Sequence, residues 1–322
     1  MDPLCHTLTG AALGEAGLTR GSSLAAATLL IAANLPDLDA VTYLSSTDLS
    51  LGFRRGWSHG VLAMLVLPWL LAVCMQQLGR LDRYTVSRST RTLSFLRLLT
   101  LSYIGVVSHP ALDWLNPYGV RLLMPFSSHW FYGNALFILD PVMWLLLGGP
   151  VFWVRRRDAE PRMRERIVQV SLALTCAYAI AMTVESRIVE RRARHWLATQ
   201  GTTAIEVAAL PVLVNPFVRD VVVLEPAAYE FLIFDGLSSP SFTKTTLRVA
   251  RSEPDAIVSA ALNAPRVQGL REWLRFPTYQ VERLPDGYRV GIRDVRFARL
   301  PAGGFGSAVV RLDKNLSPVA DR

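Results

Sequence analysis

His109 and Asp113 stand four residues apart in the stretch HPALDWLNPYGV, where an apolar run gives way to a Trp and a Pro. That separation is about one helical turn, so both side chains project from one face and reach one metal ion or a bridged pair. Burying either in an apolar segment is unfavourable without compensation, and an ionisable residue at membrane depth marks a site. His59 opens an apolar run in RRGWSHG, Asp37 and Asp39 close one in NLPDLDA, and His6 lies near the start of the chain. Three histidines and three aspartates supply the N and O donors used by zinc, manganese or iron. Asp37 and Asp39 point the same way if Pro36 holds the chain extended around them. Ser58, Asn34 and Asn116 are placed to orient such ligands by hydrogen bonds.

Each residue taken singly also has a bland reading. An HxxxD pair arises by chance in many helices, His59 can cap a helix, Asp37 and Asp39 can form a turn, and His6 can sit in an N-terminal turn. Asp140, just before Pro141, is a further acidic candidate and a ready helix start. His129 in SSHWFYG reads as an interfacial loop residue. What sets the six apart is their coincidence on one membrane face.

That face follows from the elements that must carry them. The chain has 322 residues, of which 51% are hydrophobic and 19% charged, with a mean hydropathy of +0.28. This is too apolar for an ordinary soluble protein of its size. Runs at 60–78, 93–107, 136–154 and 167–184 each approach the ~20 residues needed to cross a bilayer. Shorter runs at 4–18 and 24–35 predict a helical hairpin, with Gly10 and Gly14 allowing close approach. No basic segment precedes the first run, which argues against a removable signal peptide.

The formal charge of +8 would suit nucleic acid, but the arginines lie mostly between spans. Arg80, Arg83, Arg88, Arg91 and Arg97 separate the first two long runs; Arg155, Arg156, Arg157, Arg162, Arg164 and Arg166 separate the last two. Short arginine-rich connections stay cytoplasmic. On that count His59, His109, Asp113, Asp140, Asp37 and Asp39 fall at the outer side, and His6 joins them if the hairpin enters from outside. Trp57, Trp114, Trp130 and Tyr132 cluster there as an aromatic belt. Three cysteines give no disulfide framework, and Cys5, beside His6, reads first as a small buried hydrophobe.

After a charged helix at 187–200 the pattern changes to short β-branched runs at 204–210, 220–224, 229–234, 245–250, 279–284, 288–297 and 307–312, with helical spacing at 254–274. LPDGYRV carries a hairpin turn signal. The expected organisation is mainly α: a polytopic helical membrane domain at 1–186, with about four full spans and the hairpin, then a small α+β extracytoplasmic domain at 187–322.

A metal in such a donor set lowers the pKa of a water to near neutrality, and two metals can clamp attacking and leaving oxygens. No nucleophile elbow and no phosphate loop of the P-loop type appears. The reading is a hydrolase using one or two divalent ions, zinc first and manganese or iron next, with Asp37 or Asp140 as general base. Its partners are the bilayer and an amphiphilic ester or phosphoester, with no nucleic acid. The alternative is a non-enzymatic membrane protein with a structural metal and a partner-binding C-terminal domain. A transporter would spread ionisable residues along a path to the cytoplasm, whereas the inner halves of these runs are nearly free of them.

The segments HTLTGAALG from His6, LPDLD ending at Asp39, RGWSH ending at His59, and HPALDWLNPYGV from His109 followed by MPF resemble the YdjM-like family of inner-membrane-bound metal-dependent hydrolases. The resemblance covers 1–154. It implies a bacterial inner-membrane helical protein in which His6, Asp37, Asp39, His59, His109 and Asp113 match the family's polar positions, and Asp140 in FILDP matches an acidic position of some members. The hydrolase label comes from motif similarity to zinc phospholipase-type enzymes, so it implies a reaction class and no substrate. The C-terminal domain occurs in some members and adds no known chemistry.

Overall fold

The computed structural model describes residues 1–20, 22–45, 47–85, 93–157, 160–298 and 304–319. Arg88 and Arg91 of the first arginine-rich connection lie outside them. The chain forms two compact units. One comprises Met1–Ala40, Arg54–Glu185 and Leu213–Pro216, the other Val41–Phe53, Ser186–Val212 and Phe217–Arg322.

The first unit is helical. Helix α1 (Pro3–Leu13) starts where Asp2 accepts from the Leu4 and Cys5 backbone N–H groups at 3.1 and 3.2 Å, with Pro3 in the first turn. It ends in a π-helical turn, Gly14–Leu18, where Gly17 takes φ +111, a conformation that favours glycine. Helix α2 (Ser23–Asn34), capped by Ser22, runs on into a 3-10 helix, Leu35–Leu44. Gly10 closes the hairpin as its spacing predicts: a Cβ there would lie 3.1 Å from Ala33 Cβ and 3.2 Å from Leu29 O. Asn34 serves this hairpin rather than the donor cluster. Its amide donates to Leu30 O at 2.9 Å and its oxygen accepts from Thr7 Oγ1 at 3.2 Å.

Helix α3 (Thr47–Phe53) belongs to the second unit. The first continues with α4 (Val61–Thr85), α5 (Phe95–Trp114), α6 (Pro141–Arg156) and the part of α7 (Pro161–Thr199) up to Glu185, the rest of α7 belonging to the second. Among the described residues four helices are long and apolar enough to cross a membrane: Ser23–Leu44, Val61–Leu81, Phe95–Trp114 and Pro161–Thr199. This set differs from the sequence expectation at two places. The run at 24–35 looked short because Pro36 reads as a stop, yet Pro36 lies in the first turn of the following 3-10 segment, where its missing N–H is tolerated, and the helix continues to Leu44. The run at 136–154 is shortened because its helix starts only at Pro141; its 16 residues span roughly 24 Å at 1.5 Å per residue.

Close helix packing then sets up the site. Gly105 of α5 faces α2 so tightly that a Cβ would approach Ala32 Cβ to 2.4 Å and the Ala33 nitrogen to 3.0 Å. Helices α4 and α5 are tied by Tyr103, whose hydroxyl donates to Leu65 O at 3.2 Å. The small side chains of α2, among them fully buried Ala25, Ala32 and Ala33, therefore fix the depth at which His109, one turn beyond Gly105, meets the end of α2.

The second unit holds two four-stranded antiparallel sheets, β1-β2-β3-β4 and β5-β6-β7-β8. The first consists of β1 (Glu206–Pro211), β2 (Val218–Leu224), β3 (Ala228–Asp235) and β4 (Ser239–Ala250); the second of β5 (Pro277–Leu284), β6 (Gly287–Asp294), β7 (Ser307–Asp313) and β8 (Pro318–Val319). Alternation explains how the first sheet is covered. Val207, Ala209, Val221 and Val223 pack on Val189, Ala193 and Leu197 of α7, while Ala208, Leu210, Val222 and Tyr229 pack on Phe276 and Val295. The LPDGYRV segment makes the expected hairpin, pairing Leu284 with Gly287. The helical stretch at 254–274 resolves into α8 (Ala256–Leu262), a 3-10 turn and α9 (Gln268–Trp273). Helix α3 packs on α9 at a glycine contact, Gly52 against Gly269, and Asp48 accepts from the Leu270 N–H at 3.0 Å.

Candidate metal centre

His109 leaves α5 one turn before its C-terminus, and its Nδ1 lies 2.7 Å from Ala33 O. That carbonyl is available because its 3-10 partner three residues on is Pro36, which has no N–H. With Nδ1–H donated there, the lone pair of Nε2 faces inward, 3.5 Å from Asp113 Oδ2 on the next turn and 3.7 Å from Asp37 Oδ1.

The other donors converge on the same two residues. His6 of α1 stacks on the His109 ring with centroids 3.6 Å apart, and its Nε2 is 3.4 Å from Asp113 Oδ1. His59, just before α4, meets the His109 ring edge-on at 4.9 Å and places Nε2 3.1 Å from Asp113 Oδ2. His6, His109 and Asp113 each offer a ligand atom within 4.8 Å of the others, and so do Asp37, His59 and His109. His109 belongs to both groups but has only Nε2 to give, so it serves one ion. Asp113, with an oxygen toward each side, is the carboxylate able to join the two.

The His6, His59, His109 and Asp113 side chains are fully buried. Yet His6 Nδ1 and Nε2, His59 Nε2, His109 Nε2 and Asp113 Oδ2 make no hydrogen bond. Leaving such groups unsatisfied is unfavourable by about 1–3 kcal/mol each, so a native fold that gathers five in one place implies a ligand for them. Imidazole and carboxylate are the donor set of zinc and its neighbours, and the residues fit such an ion.

Asp39 stands one step back from the donors. Its Oδ2 accepts from Ser58 Oγ and lies 3.3 Å from His59 Nδ1, and Ser58 Oγ is itself 2.9 Å from that nitrogen. This is the carboxylate–histidine arrangement that fixes which ring nitrogen faces a metal. Asp37 and Asp39 are on a 3-10 helix, not an extended strand, so two residues separate them by about 240° around the axis. They consequently face different histidines, Asp37 toward His109 and Asp39 toward His59. Burial pulls the His59 pKa down, but the negative charges of the Asp113 and Asp39 carboxylates beside it outweigh that and hold it above the ordinary histidine value.

Two cations missed by the sequence reading complete the centre. Arg54 donates from Nη2 to Asp37 Oδ1 and from Nε to Asp39 Oδ1, both at 3.0 Å. Arg55, buried and in the left-handed region at φ +52, lies 3.0 Å from Asp113 Oδ1, donates to Asn116 Oδ1 at 2.8 Å and covers the Tyr118 ring. The Met1 amino group also contacts Asp113 Oδ1. The signal for the arginines was their position: two adjacent cations beside His59, at the end of α4 opposite the arginine-rich connection. A non-glycine residue held at positive φ is unfavourable, so the contacts Arg55 makes must hold it there.

Asp140 caps α6 instead of facing the donors: Oδ1 accepts from the Met143 N–H at 2.9 Å and Oδ2 from the Tyr178 hydroxyl at 3.1 Å. His129 is exposed, its ring against Phe131. Cys5 is buried in the apolar core with Ala12, Leu136 and Met143. Trp57 is exposed, but Trp130 is buried under the Arg121 guanidinium, so it does not act as a belt residue.

A Bacillus subtilis (strain 168) protein named "Uncharacterized protein YfhP" is 27% identical over 157 residues, covering 45% of this chain and 43% of its own length. The chain thus spans less than half of that relative. No solved structure matches the chain. Residues 1–189, more than half of the sequence and all of the donor set, match the model of the YdjM inner membrane protein family, and the chain belongs to that family.

Proposed function

We propose that this membrane protein is a metal-dependent hydrolase acting on an amphiphilic ester or phosphoester at the outer leaflet. The observation that carries the reading is the set of five buried donor atoms without hydrogen bonds on His6, His59, His109 and Asp113. His6, His59, His109, Asp113 and Asp37 hold one or two divalent ions, zinc first and manganese or iron next. Such an ion supplies Lewis acidity and a water of lowered pKa. Asp39 and Ser58 orient His59; Ala33 O orients His109; Arg55 and Asn116 fix Asp113. Where a single ion is held by His6, His109 and Asp113, Asp37, at the edge of the cluster with one oxygen on Arg54, takes up the proton of the attacking water as general base. The unit built on the two sheets is extracytoplasmic in this reading.

Metal analysis of purified full-length protein beside a His109→Ala, Asp113→Ala double variant tests the centre. The wild type carries stoichiometric zinc or a like ion and hydrolyses micellar amphiphiles; the folded variant loses both. Unchanged metal content in the variant removes the centre. Full metal with hydrolysis of soluble esters but of no amphiphile removes the substrate assignment.

A further inference from the structure

The centre has one side that is not sealed. The His6, His59, His109 and Asp113 side chains are 0% exposed, whereas those of Asp37 and Arg54 are 13% and 14% exposed. Approach to the donors is therefore past Asp37, and the group waiting there is a guanidinium. Arg54 is held in place by two carboxylates, Asp37 and Asp39, at 3.0 Å each. Through Asp37 Oδ1, 3.7 Å from His109 Nε2, it shares an oxygen with the donor cluster.

Charge decides what such a side accepts. Asp37, Asp39 and Asp113 against Arg54 and Arg55 leave one formal negative charge before the Met1 amino group is counted. A divalent ion makes the total positive with or without that amino group. A neutral carboxylic ester gains little from a fixed cation beside its binding position. A phosphoryl group gains charge-assisted hydrogen bonds whose fork geometry matches arginine, and a cation preorganised there counts further as charge builds on its oxygens. The flanking residues are apolar: Leu38, between the two aspartates, is 68% exposed and Trp57, next to Ser58, is 51% exposed.

We infer that Arg54 is the substrate-binding cation of this centre and that the substrate group it receives is an anionic phosphoryl oxygen, as in a phosphomonoester or phosphodiester. This rests on the metal-centre reading above and narrows its substrate from esters in general.

The test uses full-length protein in uncharged detergent, loaded with zinc, and measures inorganic phosphate binding by calorimetry. Wild-type protein binds phosphate, and Arg54→Gln, with zinc content unchanged, binds it about tenfold or more weakly, as expected for losing a hydrogen bond to a charged group. Because Gln leaves two carboxylates without their cation, Arg54→Lys is measured beside it; it keeps the charge, loses the fork and falls between the two. Phosphate affinity equal to wild type in either zinc-loaded variant overturns the inference and leaves the hydrolase reading standing. Wild-type protein that takes up no zinc overturns both. Competition by micelles of phosphatidic acid but not of diacylglycerol assigns the phosphoryl group to a lipid, and competition by neither assigns it to a soluble phosphoester. Equal competition by diacylglycerol overturns the anionic assignment.

Discussion

His59 illustrates how much of the centre depends on groups that touch no metal. Its Nε2 faces Asp113, but its ring is set by Asp39 and Ser58 at Nδ1. Removing the Asp39 charge keeps every donor and loosens the orientation, so Asp39→Asn should weaken zinc binding by about 10–100-fold while zinc in excess still fills the site. Competition against a chromophoric chelator reads this, and wild-type affinity in Asp39→Asn would remove Asp39 from its positioning role. Asp140 is the contrasting case. Both its oxygens are taken, by the Met143 N–H and the Tyr178 hydroxyl. Asp140→Ala should therefore cost about 1 kcal/mol of stability, as for loss of a helix cap, with zinc content unchanged. A folded Asp140→Ala without zinc would return it to the donor set. The same contrast shows what the residue pattern could carry. His6, His59, His109, Asp37 and Asp113 were legible because ionisable side chains at the ends of apolar runs need a reason to be there. Arg54 and Arg55 were not, because arginines near spans are ordinarily read as topology signals.

At the scale of elements, the position of His109 is a consequence of backbone contact between α2 and α5. Gly105 admits that contact, and a Cβ there would come within 2.4 Å of Ala32 Cβ, which has no flexible end to swing away. Gly105→Val should destabilise the protein by about 1–3 kcal/mol through overpacking. It should also lower zinc affinity, since it parts Ala33 O from His109 Nδ1; Gly149→Ala, with nothing within 4 Å of the new Cβ, is the control. Unaltered thermal unfolding and zinc affinity in Gly105→Val would refute the account. In the second unit the comparable join is Tyr229 of β3, whose hydroxyl donates to Pro277 O of β5 at 2.8 Å. Burial pushes its pKa up to about 12, above the ordinary tyrosine value of 10.0. The folded state thus favours the neutral phenol, so the contribution is complete below pH 10 and is lost as pH rises toward 12. Denaturant unfolding should show wild-type stability falling over that window more steeply than Tyr229→Phe; parallel curves would show that Tyr229 is not responsible. Most strands and the LPDGYRV hairpin were legible from alternation, which short antiparallel strands preserve. The helix limits were less so, because Pro36 reads as a stop where the structure continues the helix, and the apolar run from 136 begins before the helix that Asp140 and Pro141 start. The membership of α3 in the second unit had no local signal, since it depends on Gly52 meeting Gly269, more than two hundred residues away.

At the scale of the whole molecule, the proposed side of the membrane for the centre rests on charge placement alone. Helix α4 carries Arg80 near its C-terminal end, and α6 carries Arg155 and Arg156 in its last turn with Arg157 just beyond; His59 and His109 lie at the opposite ends of α4 and α5. On the proposed topology, arginine-rich ends held in the cytoplasm would put the centre outside, and an odd number of crossings after the first of them would put the end of the chain there as well. Helix α6 decides the topology, because its 16 residues fall short of the ~20 that span a bilayer. If α6 crosses, alkaline phosphatase fused after residue 319 is active and the same enzyme inserted between 85 and 93 is inactive. If α6 instead turns back without crossing, both fusions report the cytoplasm, α7 must end on that side, and the centre and the second unit are separated by the membrane. That result would overturn the outer-leaflet assignment of the second unit while leaving the donor geometry intact, so this pair of fusions tests the topology independently of the chemistry.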